Sequence, residues 1–194
     1  MNITNEIIES YFECHYKSHL KIKGEYGQKC NLEQLQASDT EVLKAKYFAE
    51  VLKIEYKRHC TADVSLEEIM KHGQDRIVNT EVLFDVFQFH CDLLKKIPLW
   101  SRFGDFAYVP VLIIPTENIP RKTKILVAGI ANSLSKMQAS PILFAEIVYG
   151  KKFKSAKIKL NTYLEEFNQV VNSIKGSEQF LFYLNTHCSA CEFS

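Results

Sequence analysis

The hydrophobic pattern of this chain changes its period near residue 77, and this change constrains the fold more than any other feature. Residues 77–94 are rich in Val, Ile and Phe, and apolar residues alternate with polar ones from Phe87 onwards. A period of two is typical of a strand with one buried face, and the polar face here carries Asp92. A second strand is predicted over residues 106–114, which are apolar enough to lie in the centre of a sheet.

Helical periodicity surrounds these strands. The predicted helices are a first one that carries Cys14 and others over residues 32–57, 65–73, 122–137 and 161–174, with a short one from Ser177, and a hairpin is predicted over residues 142–160. The expected fold class is therefore α/β or α+β, with a mixed central sheet flanked by helices. We expect one domain with a helical part (1–75), a sheet core (76–160) and C-terminal helices with a cysteine tail (161–194).

Composition narrows the functional classes. A chain of 194 residues buries roughly 70% of its unfolded surface, and its 46% hydrophobic content is typical of globular proteins. The net charge of +1 gives no global attraction to nucleic acid, so such binding would need a local basic patch. No stretch approaches roughly 18 apolar residues, and the N-terminus is polar. We therefore expect a cytoplasmic protein without a membrane contact, whose six cysteines are thiols or metal ligands.

Two cysteines in the tail, Cys188 and Cys191, have the C-x-x-C spacing that turns both sulfurs toward one metal centre. One such pair is half a site, and a chance pair is the alternative interpretation. Cys14, in the segment F-E-C-H-Y-K, supplies a further thiol near the other end of the chain.

These features together resemble the RecB-like branch of the PD-(D/E)XK nucleases, including the iron-sulfur nucleases associated with CRISPR and DNA repair. The features are Cys14 before a basic helix, a strand aspartate, the segment G-D-F-A-Y-V-P-V-L from Gly104, and the closing H-C-x-x-C-E-F. The resemblance covers most of the chain and implies an α-β-β-β-α-β core, with hydrolysis of DNA as the family activity. It also implies that Cys14, Cys188 and Cys191 are ligands of a four-iron cluster.

The chain departs from the family at its end. The family has another cysteine a few residues beyond C-E-F, whereas this sequence ends at Ser194. The resemblance therefore implies a fragment of a longer protein with further domains. Cys30 or His187 would instead complete a zinc site, because zinc accepts mixed Cys and His ligands. A chain without any metal is the third interpretation.

The expected active site is also incomplete. Asp92 fits the first carboxylate of the family, with His90 beside it, and would hold Mg²⁺ or Mn²⁺. The next strand should supply an acid and a lysine, but it has the sequence Y-V-P-V-L-I-I from Tyr108. A single carboxylate without the lysine predicts impaired cleavage. An ordinary strand aspartate is the alternative interpretation of Asp92.

Binding needs less exact chemistry than cleavage. Lys151, Lys152 and Lys154 form a basic group that would contact phosphates, although lysines also protect an edge strand from aggregation. Lys17 and Lys21 form a second basic group, which would lie near the tail if the chain ends are joined. Trp100, the only tryptophan, is most simply a packing residue.

The leading hypothesis is therefore a RecB-like nuclease-fold domain that binds DNA, most naturally single-stranded, with impaired catalysis. The alternative is a non-enzymatic structural or partner-binding module, stabilised by a metal through its terminal cysteines. The two hypotheses differ on whether Asp92 matters for activity on DNA.

Overall fold

A mixed sheet of six strands flanked by helices forms the body of the molecule, which confirms the predicted fold class. The computed structural model describes residues 2–54, 65–176, 186, 188 and 191–193. Its elements are β1 (Ile3–Thr4), α1 (Asn5–Glu13), α2 (His15–Ile22), α3 (Asn31–Tyr47) with a π-helical turn (Phe48–Leu52), α4 (Leu66–Lys71), β2 (Arg76–Phe84), β3 (Phe87–Ile97), β4 (Ala107–Ile114), α5 (Arg121–Met137), β5 (Phe144–Tyr149), β6 (Lys154–Lys159) and α6 (Asn161–Lys175). None of the helices within these ranges has the length and apolar character needed to cross a membrane.

The strand β3 organises the sheet. It pairs with antiparallel β2 along one side, and its other side is shared by parallel β1 and antiparallel β4. The sheet continues through β5, which is parallel to β4, and ends at β6, which is antiparallel to β5. The helix α5 connects the two parallel strands, as the geometry of a parallel connection requires.

The sequence pattern missed one turn and one break in a helix. The apolar run over residues 77–94 contains two strands rather than one, because Asp85 adopts a left-handed conformation (φ 53°) and starts a tight hairpin. Cys14 has an extended backbone between α1 and α2, so the first predicted helix is broken there. The helix predicted over residues 32–57 ends at Leu52, before Lys53 in the left-handed region. The helix predicted from Ser177 lies outside the described residues.

Two hydrophobic cores lie on the sheet. The larger one joins α1, α5 and α6 to the sheet and includes Phe89, Tyr108 and Phe167. The smaller core is formed by Tyr47 and Phe48 at the end of α3, which pack against apolar residues of the sheet. Those sheet residues are Leu93, Val111, Ile113 and Val148. The helix α3 therefore packs on β4, β5 and the strand that carries Asp92, β3.

Candidate functional site

The sheet opens along one side of β3, at the residues that precede Asp92. Pairing with β1 involves only Phe87 and Gln88, and pairing with β4 begins at Leu93. In the interval, the side chain of Asn5 takes the place of a strand. Its amide nitrogen donates to the carbonyl oxygen of His90 (2.9 Å), and its carbonyl oxygen accepts from the His90 N–H (3.0 Å). The backbone is thus satisfied while a gap remains between β1 and β4.

Asp92 lies at the end of this gap and bridges β3 and β4 through its side chain. Its Oδ2 atom accepts a hydrogen bond from the backbone N–H of Ile113 at 2.7 Å. Across the hairpin, Asn79 is buried with a φ of 49° and lies between two regular pairs of the β2–β3 ladder. Backbone in a sparsely populated region is often found near functional sites. The left-handed residue of β2, Asn79, therefore lies opposite Asp92 of β3.

Lys44 of α3 neutralises this carboxylate. Its Nζ atom lies 2.7 Å from Oδ1 of Asp92, and the Nε2 atom of His90 lies 3.4 Å from the same oxygen. The side chain of Asp92 is 4% exposed and that of Lys44 is 12% exposed. Burial raises the pKa of Asp92, but the hydrogen bonds from His90, Lys44 and Ile113 outweigh it, so the net pKa lies below its ordinary value. Asp92 is therefore ionised near neutral pH.

This arrangement limits metal binding at Asp92. A carboxylate has about four lone-pair sites, and the donors from Lys44, His90 and Ile113 occupy three of them. The ammonium of Lys44 also supplies the positive charge that a metal ion would otherwise bring. A cation at the remaining lone-pair site would lie beside the ammonium of Lys44 and be repelled by it, so the described residues do not form a ready site for Mg²⁺ or Mn²⁺.

Sequence reasoning identified His90 and Asp92, which the structure brings together, but it missed Lys44. The helical stripe that includes Tyr47 faces the sheet, and Lys44 precedes Tyr47 by three residues. Residues three apart share one face of a helix, so this spacing was the available signal. Lys44 also lies 3.4 Å from Glu41 on the preceding turn.

A second carboxylate approaches Lys44 from α1. Burial raises the pKa of Glu9, and the attraction of Lys122 and Lys44 only partly offsets that effect. No residue in the described ranges donates a hydrogen bond to the Glu9 carboxylate. The raised pKa favours the protonated form of Glu9. Glu9 also lies close enough to Lys44 for their charges to interact.

Lys17 and Lys21 lie beneath the tail rather than on an open surface. Lys17 contacts Glu13 (3.1 Å), Glu33 (3.3 Å) and Glu192 (3.3 Å), whereas Lys21 contacts Glu6 and Glu192, both at 2.6 Å. A nucleic-acid phosphate would have to compete with these carboxylates. The contacts also place Glu192 beside α2.

The cysteines expected to bind an iron-sulfur cluster (Cys14, Cys188 and Cys191) or zinc (with Cys30) are distributed over both ends. Cys14 lies between α1 and α2, Cys30 precedes α3, and Cys188 and Cys191 lie in one turn. Among the described residues, no three His, Cys, Asp or Glu side chains form a group that could hold a metal ion. His187 lies outside those residues. The four-iron cluster and the zinc site both stay predictions, and no chemical step is assigned to them.

The lysines of the last hairpin lie at the edge of the sheet. Lys151 and Lys152 are exposed in its turn, and Lys154 begins β6. Glu117 fixes this turn, because its Oε1 atom accepts from the Lys151 backbone N–H at 3.2 Å and its Oε2 atom lies 3.8 Å from the Lys154 Nζ. Phosphate binding and edge protection are both compatible with this placement.

Comparison of the chain with models of known protein families and with curated proteins finds no match. Function must therefore be inferred from the surroundings of Asp92 and from the distribution of charge over the surface.

Proposed function

We propose that this chain is a nuclease-fold domain of the RecB-like type that binds single-stranded nucleic acid and cleaves it poorly or not at all. The consecutive elements α4, β2, β3, β4, α5 and β5 support the proposal, because they have the α-β-β-β-α-β order that the resemblance implies. Asp92 lies on β3, and the resemblance expects the first catalytic carboxylate on the strand before the one that supplies the acid and the lysine, which here is β4.

The ion pair between Lys44 and Asp92 carries the proposal that cleavage is impaired. In metal-dependent hydrolysis of a phosphodiester, carboxylates hold the cation that polarises the phosphate and activates water. Here the carboxylate of Asp92, which the resemblance assigns to this role, is neutralised by an ammonium at 2.7 Å. The strand β4 offers Val111 and Ile113 to the smaller core and supplies neither an acid nor a lysine.

Nuclease assays with labelled single-stranded and double-stranded DNA test this proposal in the presence of Mg²⁺ or Mn²⁺. The proteins to compare are the unaltered chain, Asp92→Asn and Lys44→Met, with thermal unfolding as a control for folding. We expect binding without cleavage by the unaltered chain. Cleavage that disappears in folded Asp92→Asn would instead establish an active nuclease, and the absence of binding would contradict the proposal altogether.

A structural or partner-binding module is the second candidate, and the docked tail favours it. Glu192 accepts from Lys17 and Lys21, and its backbone carbonyl accepts from the N–H of Gln28 at 2.8 Å. A metal held by Cys188 and Cys191 would strengthen the same junction. Metal analysis of the purified protein and of the Cys188→Ser/Cys191→Ser variant tests this candidate. It predicts bound metal, a lower melting temperature in the variant, and no affinity for nucleic acid.

A further inference from the structure

A cleft of about 490 Å³ opens where β2 begins, β3 ends and β4 begins. It is lined by Asp75, Arg76, Lys95, Lys96, Ile97, Pro98, Asp105 and Phe106. The cleft lies at the end of the sheet, three residues along β3 from Asp92. Its walls combine cationic, apolar and aromatic groups, which is the combination that a nucleotide unit requires.

Two cations face each other across the strands at this cleft. Arg76 of β2 is the direct pairing partner of Lys95 of β3, and like charges directly opposite each other are unfavourable in an antiparallel ladder. Glu146 compensates Lys95 through contacts of 3.0 and 3.2 Å. No carboxylate in the described part of the chain forms an ion pair with Arg76, which is exposed. An anion at Arg76 would therefore relieve the repulsion.

The third cation, Lys96, stands against an aromatic ring. Its Nζ atom donates to the carbonyl oxygen of Gly73 at 2.9 Å and lies 4.4 Å from the centre of the Phe106 ring. These contacts fix the ammonium at the cleft wall. A phosphate would meet a positioned charge there rather than a freely moving side chain.

Trp100 follows Pro98 of the cleft by two residues and is 78% exposed, so it is not the packing residue that the sequence suggested. The loop that carries it is held firmly. The Ser140 hydroxyl donates to the Trp100 carbonyl oxygen at 2.6 Å. The backbone N–H of Arg102 donates to the backbone carbonyl oxygen of Gln138 at 3.0 Å. An exposed indole on a fixed backbone is a suitable platform for stacking with a base.

We propose that the cleft and Trp100, which follows the lining residue Pro98 by two positions, form a binding surface for single-stranded nucleic acid, in which Arg76 contacts a phosphate and Trp100 stacks on a base. This inference rests on the proposed function and assigns it a surface separate from the Asp92 site. Asp75 and Asp105 border the cleft and repel phosphates, and Lys95 is already paired with Glu146, so Arg76 and Lys96 are the cations of the cleft that remain for a phosphate. Nucleic acid explains the combination of an exposed indole with a cation that has no ion-pair partner in the described part of the chain more directly than a peptide partner does.

The single tryptophan of the chain makes the test direct. Oligothymidylate is titrated into the full chain while tryptophan emission reports on Trp100 and the anisotropy of a labelled oligothymidylate reports on total binding. The variants are Trp100→Ala, Trp100→Phe and Arg76→Gln. Arg121→Gln is the matched control, because Arg121 is an exposed arginine outside the cleft, paired with Glu166.

We expect saturable quenching of tryptophan emission in parallel with the anisotropy change. Trp100→Ala should weaken binding by about 5- to 150-fold and Trp100→Phe by less, since a stacked base contributes roughly 1–3 kcal/mol. Arg76→Gln should weaken binding and lower the salt dependence by about one phosphate contact, while Arg121→Gln should not. Binding by anisotropy with unchanged emission and unaffected variants would overturn this surface and leave the proposed function intact. No binding by anisotropy would overturn both.

Discussion

The Nζ atom of Lys44 on α3 lies 2.7 Å from the Oδ1 atom of Asp92 on β3, and both side chains are largely buried. The pair connects the helix over the smaller core to the strand beside the gap in the sheet. A buried ion pair contributes little net stability, but removing one partner leaves an uncompensated charge. The same contact therefore affects both the folding of the domain and the chemistry available at Asp92.

We predict that Lys44→Met lowers the free energy of unfolding by about 3–5 kcal/mol, because it leaves the Asp92 carboxylate buried without its cation. The double variant Lys44→Met/Asp92→Asn should recover much of this loss, since neither charge then remains. Urea unfolding at neutral pH measures both changes. Lys46→Met is the control, because Lys46 is exposed on the same helix and pairs only weakly with Glu50 at 3.9 Å. Equal effects of the Lys44 and Lys46 substitutions would contradict the prediction.

The strand that carries Asp92 follows from local sequence, because the alternation of Phe87, Phe89 and Cys91 with polar residues is a short-range pattern. The hairpin at Asp85 does not follow as easily. An aspartate between Phe84 and Val86 looks like one more polar residue of a strand, and only its left-handed conformation makes it a turn.

The composition of the site depends on packing between distant segments. His90 and Asp92 are close in sequence, whereas Lys44 reaches Asp92 only because Tyr47 and Phe48 seat α3 on the sheet. Trp100 illustrates the opposite case. Its aromatic character suggests burial, but its side chain is exposed on a loop whose backbone accepts a hydrogen bond from the distant Ser140.

Glu9 should make the protein less stable as the pH rises. Burial raises the pKa of Glu9 above its ordinary value of 4.5, so the folded state binds more protons than the unfolded state above that pH. Stability from this group is complete below pH 4.5 and is lost as the pH rises through the folded pKa. We predict that Glu9→Gln stabilises the protein at pH 7 and has no such effect at pH 4. Unfolding free energies at the two pH values provide the test.

Asp92 has the opposite pH dependence and serves as the internal comparison. Its folded pKa lies below the ordinary value of 3.8, so its stabilising contribution is present above that pH and is lost as the pH falls through the folded pKa. Asp92→Asn should therefore reduce the loss of unfolding free energy as the pH falls below 3.8. Glu9→Gln should instead reduce the loss of unfolding free energy as the pH rises above 4.5. A change of the unfolding free energy over the same pH range in both variants would contradict these assignments.

Docking of the tail should depend on Gly27. A Cβ atom at this position would overlap the backbone carbonyl of Glu192, although the backbone of Gly27 itself is unstrained. We predict that Gly27→Ala lowers the unfolding free energy by about 1–3 kcal/mol, as overpacking does. It should also speed hydrogen exchange at the Gln28 amide, which donates to Glu192. Gly176→Ala is the control, since the one described atom that its Cβ would approach is the Asn172 carbonyl oxygen, at 3.2 Å. Unchanged exchange at Gln28 would contradict the prediction.

The lysines of the last hairpin distinguish phosphate binding from protection of the sheet edge. If Lys151, Lys152 and Lys154 contact phosphates, changing all three to Gln should weaken oligothymidylate binding and reduce the slope of log affinity against log salt by about 2, since each contact to a single strand contributes roughly 0.7. If they protect the edge strand β6, the variant should bind normally but self-associate, because a sheet edge with fewer charges pairs more readily with another copy. Fluorescence anisotropy over a salt series and sedimentation of the same samples separate these outcomes. We expect the triple variant to lose affinity for oligothymidylate. Unchanged binding together with self-association would show that these lysines protect the sheet edge. Arg76 and Lys96 would then be the candidate phosphate contacts.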